Sequence, residues 1–329
     1  MAITRYKINK WFKMIKGDSI LHVNQGVGKL YKKGKIEGYY NDMTEKILKD
    51  KSTMDGELPK YPGEDGIKKI FPIGIFQYGL GAYDLYLETG KKEYLDKFKL
   101  CVDWTINNQD ENGGWKTFEY ETPNTPYSAM AQGEAISLLA RAYILDNNNK
   151  YLELIKNGMN FLTKSIKDGG VAEYYNKYIY LKEFVDRPVV LNGWIFAIFG
   201  IYDYLLLFPN DKNIEEFYKN TITTLINELP RYDLEYWSKY DLNKRIASPF
   251  YHNLHIAQLN VLYALTDNKT FNIYENKFKK YSNNNYYKIK AFLTKAIQKI
   301  MEWFYEKIIM HSKRQNGCWW CRNIFNENI

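Results

Sequence analysis

The chain has 329 residues, 45% of them hydrophobic and 26% charged, which excludes a disordered or collagen-like polymer and leaves room for one large domain or two ordinary ones around a sizeable core. Lys and Arg number 46 against 38 Asp and Glu, a net charge of +8 that attracts a polyanion without requiring nucleic acid. Aromatic residues reach 17%, with 30 Tyr, a composition that suits a groove for sugars or flat ligands and equally an A+T-rich genome.

Residues 1–18, MAITRYKINKWFKMIKGD, are basic and lack a continuous apolar run, which argues against a secretory signal. No stretch of the sequence reaches the roughly 18 apolar residues of a membrane span, so the expectation is action in the cytoplasm or at the cytoplasmic face of a membrane. Residues 1–70 form a first segment, in which SILHVN and GKLYKKGKIEGYY read as short strands or irregular structure.

From 71 to 288 the chain repeats a helical hairpin. Segments starting at Phe76, Ala131, Leu191 and His255 each open on small and amide residues, run an apolar helix, turn at Gly, Asn, Asp or Pro, and begin a second helix rich in Tyr, Leu and Ile. Gln77, Gln132, Asn192 and His255 are spaced by 55, 60 and 63 residues, which suits paired helices with long connections. In the second hairpin Ala129, Gly133, Ile136, Ala140 and Tyr143 share a face, as do Gly193, Ala197 and Gly200 in the third. Small faces favour a closed ring with the first helix of each pair inside. The reading is a mainly α fold: an α/α toroid, an incomplete barrel of helical hairpins behind a short strand- or loop-rich N-terminal segment. Loops 113–127, 169–190 and 230–254 concentrate Gly, Pro, Tyr and charge, and a site is expected among them.

Residues 289–329 form the last segment. Ile289, Phe292, Leu293, Ile297, Ile300, Phe304 and Ile308 recur at helical spacing between lysines, a basic amphipathic helix suited to its own domain, a partner subunit or a membrane surface. Three Cys make no disulfide framework and point to a reducing compartment. Cys318 and Cys321 form CWWC, with His311 as the only nearby further ligand, too few for the four that zinc takes, so no metal is assigned.

With four His in the chain, acid–base chemistry must lean on Glu, Asp and Tyr. Glu183 lies in YLKEFVDRPVVLNGW, ahead of an apolar helix that Asn192 is placed to cap. The loop YDLEYWSKYDLNKR, 232–245, holds three Tyr, two Asp and three basic residues, and can stack a sugar ring while offering it a hydroxyl. His252 and His255 open the helix YHNLHIAQLN, with Tyr251, His255 and Gln258 on one face. No GxGxxG, Walker loop, HExxH or GxSxG occurs, which removes the usual signatures of hydride transfer, ATP use, zinc proteolysis and serine hydrolysis.

Four motifs in order, FPIGIFQYGLGAYDLY, SAMAQGEAISLLARAY, VLNGWIFAIFGIYDY and YHNLHIAQLNVLYAL, resemble the C-terminal catalytic domain of D-glucuronyl C5-epimerases over roughly residues 71–266. The resemblance implies an α/α ring and an enzyme that inverts carbon 5 of a uronic acid within an acidic polysaccharide. It implies Glu183, Tyr240 and Tyr251 as catalytic residues. Two positions depart from the animal enzymes: Phe184 replaces a tyrosine, and Asn243 replaces an arginine, with Lys244 and Arg245 one and two positions on. The β-rich N-terminal domain of those enzymes has little room in this chain.

Removing a proton α to a carboxylate and returning it from the opposite face needs an acid–base group on each side and donors for the enediolate. Arg187, Arg245, Asn192, His252 and His255 are candidates to hold the carboxylate, and Gln77, Tyr78, Tyr127 and Gln132 are further expected substrate contacts. No metal or cofactor is required, the expected partner is a uronate-containing glycan rather than nucleic acid, and a homodimer is in keeping with the family. A uronate lyase begins with the same proton abstraction, and a non-catalytic glycan-binding scaffold would keep the aromatic groove; these are the rival readings.

Overall fold

The structure, a computed structural model, describes residues 22–50, 53–54, 56–62 and 67–314, the last turns of the C-terminal helix as backbone only. The Cys318–Cys321 pair lies outside the described residues. Pro72 opens helix α1 (Pro72–Thr89) where a missing N–H costs nothing, and Gly90 ends it in the left-handed region at φ 68°. Helix α2 (Lys92–Asn107) folds back along it. The plan recurs in α3 (Ala129–Asp146) with α4 (Lys150–Leu162), α5 (Leu191–Leu207) with α6 (Lys212–Glu228), and α7 (Pro249–Thr266) with α8 (Lys269–Asn283). Asn147 and Asp267 end α3 and α7 at φ 56° and 55°, a conformation that short polar side chains tolerate better than other non-glycine residues.

The first helix of each pair, α1, α3, α5 and α7, forms the inner layer. Helix α5 is buried without a break from Leu191 to Ile201, whereas outer helix α8 buries only a stripe through Phe271, Glu275, Phe278 and Tyr281. Helices α1, α3, α5 and α7 pack side by side in that order, an α/α toroid of four hairpins. The small residues of the repeats permit the tightest of these contacts. A Cβ on Gly133 would sit 2.5 Å from Cα of Ala197, and one on Gly200 would sit 2.4 Å from Cα of Gly133.

Residues 22–50 run alongside α7 and α1. At one end Gln25 reaches Gln77 of α1 and His22 packs on Phe250 and Tyr251 of α7. At the other, the Tyr39 N–H donates to Asp84 near the C-terminus of α1, Lys33 pairs with Asp267 beyond α7, and Gly34 N–H donates to Tyr202 of α5. The segment is largely irregular, with isolated bridges Val27–Asn41 and Lys32–Lys35 and one helical turn at Glu45–Leu48. It is locked by Arg141 of α3, fully buried, which donates to Asp203 of α5 at 2.7 Å and to Gly38 O at 3.0 Å, while Tyr40 donates to the other oxygen of Asp203 at 2.6 Å.

Two small hairpins punctuate the connections: β1 (Tyr61–Pro62) with β2 (Lys68–Lys69), and β3 (Ala172–Tyr175) with β4 (Tyr178–Leu181). The second falls where loop 169–190 was expected. Ile179 and Leu181 are buried while Tyr178 and Tyr180 are only half-buried, and β4 docks on α6 through Ile179 N–H to Thr224 and Thr221 to Ile179 O. The capping expectation for Asn192 is corrected. Helix α5 begins at Leu191 with Val190 as its cap, because the 189–191 backbone is held in an extended pairing with residues 240–242, and this leaves Asn192 inside the first turn. The final helix, α9 (Asn285–Arg314), follows α8 after a single residue.

Candidate active site

A cavity of about 1070 Å³ opens at one end of the ring. All four inner helices contribute their first two turns to it: Gly74 and Gln77 of α1, Met130 of α3, Asn192 and Phe196 of α5, Tyr251 and Leu254 of α7. Four helix N-termini aimed at one space put their partial positive charges around it, a field that favours an anionic ligand. The volume is at the upper end of the range for small-molecule clefts, about 300–1,000 Å³, with room for more than one sugar ring. Phe71, Phe118, Tyr120 and Phe184 supply apolar walls, and Phe118 and Phe184 stack at 4.4 Å between centroids.

Glu183 enters this cavity between α3 and α5. The preceding residue is tied down, Lys182 O accepting from Ala129 N–H at the start of α3 and Lys182 N–H donating to Val171 O. The carboxylate then lies against the first turn of α5, where only glycine leaves room. A Cβ on Gly193 would be 2.5 Å from Oε2 of Glu183 and 2.8 Å from its Cβ, so the LNG motif is a seat for the carboxylate. Glu183 is buried and its Oε2 has no hydrogen-bond partner. Burial pushes its pKa up to about 8, against the pull of Arg187 and Arg245. Gly193→Ala is expected to displace the Glu183 side chain and cost about 1–3 kcal/mol of stability, to be read from urea unfolding midpoints.

Tyr240 and Tyr251 face the same space. Tyr240 is delivered by the extended pairing noted above, in which Leu191 N–H donates to Tyr240 O and Leu242 N–H donates to Val189 O. Tyr251 sits in the first turn of α7, with Ser248 as the N-cap and Pro249 at the first helical position. The two rings meet edge to face at 4.8 Å between centroids. Burial holds both phenols above the usual range, and the charge of Glu183 pushes both further up, so the three groups share one electrostatic environment. Of the other tyrosines in loop 232–245, Tyr232 is buried and donates to Val189 O, and Tyr236 packs on Tyr287 of α9.

Arg187 lines the cavity, its guanidinium 4.3 Å from the centroid of the Phe184 ring. Asn192, also in the lining, is buried with its carbonyl Oδ1 unpartnered. Gln77 donates its amide to Glu134 Oε1 at 2.7 Å, which turns its own carbonyl toward Gln25 at the cavity wall. Glu134 and Lys46 were missed in the sequence reading. Both are buried; desolvation drives Glu134 well above the carboxylate range and Lys46 down to about 8, each partly relieved by the other's charge. The available signal was a Glu in the middle of the otherwise small and apolar run AMAQGEAISLLA.

The structure does not bring the remaining candidates to the cavity wall. His252 is stacked on Trp237 at 3.7 Å, and its ring nitrogens meet Ser238 and Phe278 O; His255 also meets Ser238. Burial lowers both imidazoles, His252 to about 3, so they are neutral and hold the 238 loop rather than supplying a cation. Gln132 spends its amide on Trp115 N–H and O, and Tyr127 donates to Asp110 and packs on Phe161. Tyr78 is core. Arg245 pairs with Asp241 at 2.9 Å and acts on Glu183 through its field, while Asn243 is exposed. Among the described residues no cluster of three or more His, Cys, Asp or Glu could hold a metal ion.

Residues 102–280 match the family model described as D-glucuronyl C5-epimerase C-terminus. A D-glucuronyl C5-epimerase of Caenorhabditis elegans is 28% identical over 197 residues, which cover 51% of this chain and 32% of that protein. An uncharacterized protein of Methanocaldococcus jannaschii is 28% identical over 157 residues, covering 46% of this chain and 51% of that one. The chain thus spans between about a third and a half of the length of these curated relatives. A solved family 76 glycoside hydrolase from a bovine Bacteroides thetaiotaomicron strain aligns at a TM-score of 0.44 and 15% identity, over 60% of this chain and 44% of that chain.

Proposed function

Because the chain belongs to the D-glucuronyl C5-epimerase C-terminal family, we propose that it inverts carbon 5 of a uronic acid residue in an acidic polysaccharide by proton removal and return. The observation that carries this reading is the convergence, in one cavity at four helix N-termini, of a desolvated carboxylate and two phenols. Glu183, once ionised, takes the hydrogen of carbon 5 as a proton. The C–H electron pair moves into the adjoining carboxylate, which becomes an enediolate. A phenol on the opposite face, Tyr251, donates its O–H proton to carbon 5, and the electrons return to re-form the C–H bond with inverted configuration. Reset requires only that the protonated Glu183 lose its proton and the phenolate gain one. Tyr240, in contact with Tyr251, orients the carboxylate or shares the acid role.

Charge build-up on the uronate is met by Arg187 and by the partial positive charge at the N-termini of the inner helices, both in place before reaction. The dry, aromatic surroundings that raise Glu183 make it a stronger base than a solvated carboxylate. Phe184, stacked on Phe118, gives the substrate an apolar wall rather than a hydroxyl at that position.

The test is incubation with glucuronate- and iduronate-containing polymers in heavy water, read by NMR. Deuterium at carbon 5, the appearance of the other epimer and an intact polymer are expected. Unsaturated, ultraviolet-absorbing ends would assign a lyase instead, and polymer recovered with neither exchange nor cleavage would overturn catalysis. In Tyr251→Phe, exchange should fall by about 10²–10⁴-fold, the usual worth of one acid–base group.

A further inference from the structure

We propose that the outward face of α9 docks on a membrane surface rich in anionic phospholipid. The helix is oriented with its polar side inward. Gln298 accepts from Ile246 N–H at 3.0 Å and donates to Lys244 O at 2.6 Å, Lys295 donates to Ile246 O at 2.7 Å, and Thr294 meets Tyr236. Ala291 is buried on the same side. At 100° per residue these positions occupy one half of the helix. The other half carries Ile289, Leu293, Ile297, Ile300 and Met301, each between 54% and 65% exposed. An apolar face turned to water over three helical turns needs a cover.

Charge decides which cover. Lys290 lies at one margin of the apolar face, its ammonium 4.0 Å from the centroid of the Tyr236 ring, and Lys288 and Lys299 lie at the other, Lys299 paired with Glu302 at 2.6 Å; all three side chains are exposed. Residues 285–314 contain seven Lys or Arg and two Glu. Long exposed lysines beside an apolar face can exchange such surface partners for phosphate headgroups, as in helices that lie in the bilayer interface. A second copy fits less well, because pairing two such faces sets lysine margin against lysine margin. Among the described residues no helix is long and apolar enough to cross a membrane, so the helix lies on the surface. Its inner face grips residues 244–246, next to Tyr240, whose N–H donates to Arg245 O, so docking would hold the cavity close to the bilayer.

The surface is independent of the reaction and is tested apart from it. The full chain is mixed with vesicles of phosphatidylcholine alone or with phosphatidylglycerol, and bound protein is separated by flotation. Binding only to the vesicles containing phosphatidylglycerol, weakened by salt, is expected. Leu293→Asp/Ile297→Asp should lose that binding by about tenfold or more while keeping the wild-type melting temperature, since both side chains are exposed. Lys288→Glu/Lys290→Glu/Lys299→Glu should lose the binding likewise. The proposal is overturned by wild-type protein that floats with neither vesicle or equally with both, or by unchanged binding of the aspartate variant. It is also overturned by a wild-type dimer that the aspartate variant dissociates.

Discussion

Glu183→Gln removes deuterium uptake at carbon 5, by about 10²–10⁴-fold or more, and leaves a folded protein. The amide keeps the shape of the carboxyl against Gly193 but cannot accept the proton. The pH profile carries the same signature. Glu183 ionises only as pH rises through about 8, so exchange by the wild type should climb across that range and hold until the phenols ionise, well above it. Stability should move in the opposite sense. A carboxyl near 4.5 in the unfolded chain and about 8 in the native state binds its proton more tightly when folded, so native stability is lost as pH rises from about 4.5 to 8. Glu183→Gln escapes that loss, and above pH 8 its urea midpoint should equal or exceed the wild type's, the two converging below pH 4.5. A variant that exchanges at the wild-type rate would remove Glu183 from the mechanism. A functional residue whose replacement stabilises the protein is the pattern expected where a site is built at a cost in free energy.

Asp203→Ala should cost about 3–5 kcal/mol of stability. It strands the Arg141 guanidinium, with no exposure to water, and takes the acceptor from the Tyr40 hydroxyl. Most of that loss is the penalty of an unpaired buried charge. The double variant Arg141→Met/Asp203→Leu should therefore recover much of it, as measured by urea unfolding. A cost below about 1 kcal/mol for Asp203→Ala would mean that the pair is worth no more than a surface ion pair. Because the same arginine donates to Gly38 O, the single variant should also loosen residues 38–40, seen as faster amide exchange at Tyr39 and Tyr40.

The small faces around Gly133 and Gly200 announced an inner layer of helices because close approach leaves no choice of side chain, and that pressure is local enough to be read from spacing. Glu183, Tyr240 and Tyr251 could be named from motifs; their spacing does not show that they share a cavity. Their meeting depends on the pairing of 189–191 with 240–242, a contact across some fifty residues that no periodicity encodes. His252 and His255 illustrate the converse. In sequence they are titratable groups next to Tyr251, yet a helix turns successive side chains by 100°, and the packing of Trp237, Ser238 and Phe278 buries them neutral. Glu134 and Lys46 are 88 residues apart and sense each other only through the folded core. Composition, helix periodicity and the choice of small residues were thus determined by the chain alone, since each reflects neighbours within a few turns. Which polar groups reach the cavity, and with what charge, was decided only in three dimensions, because desolvation and long-range pairing belong to the assembled ring and not to any segment of it.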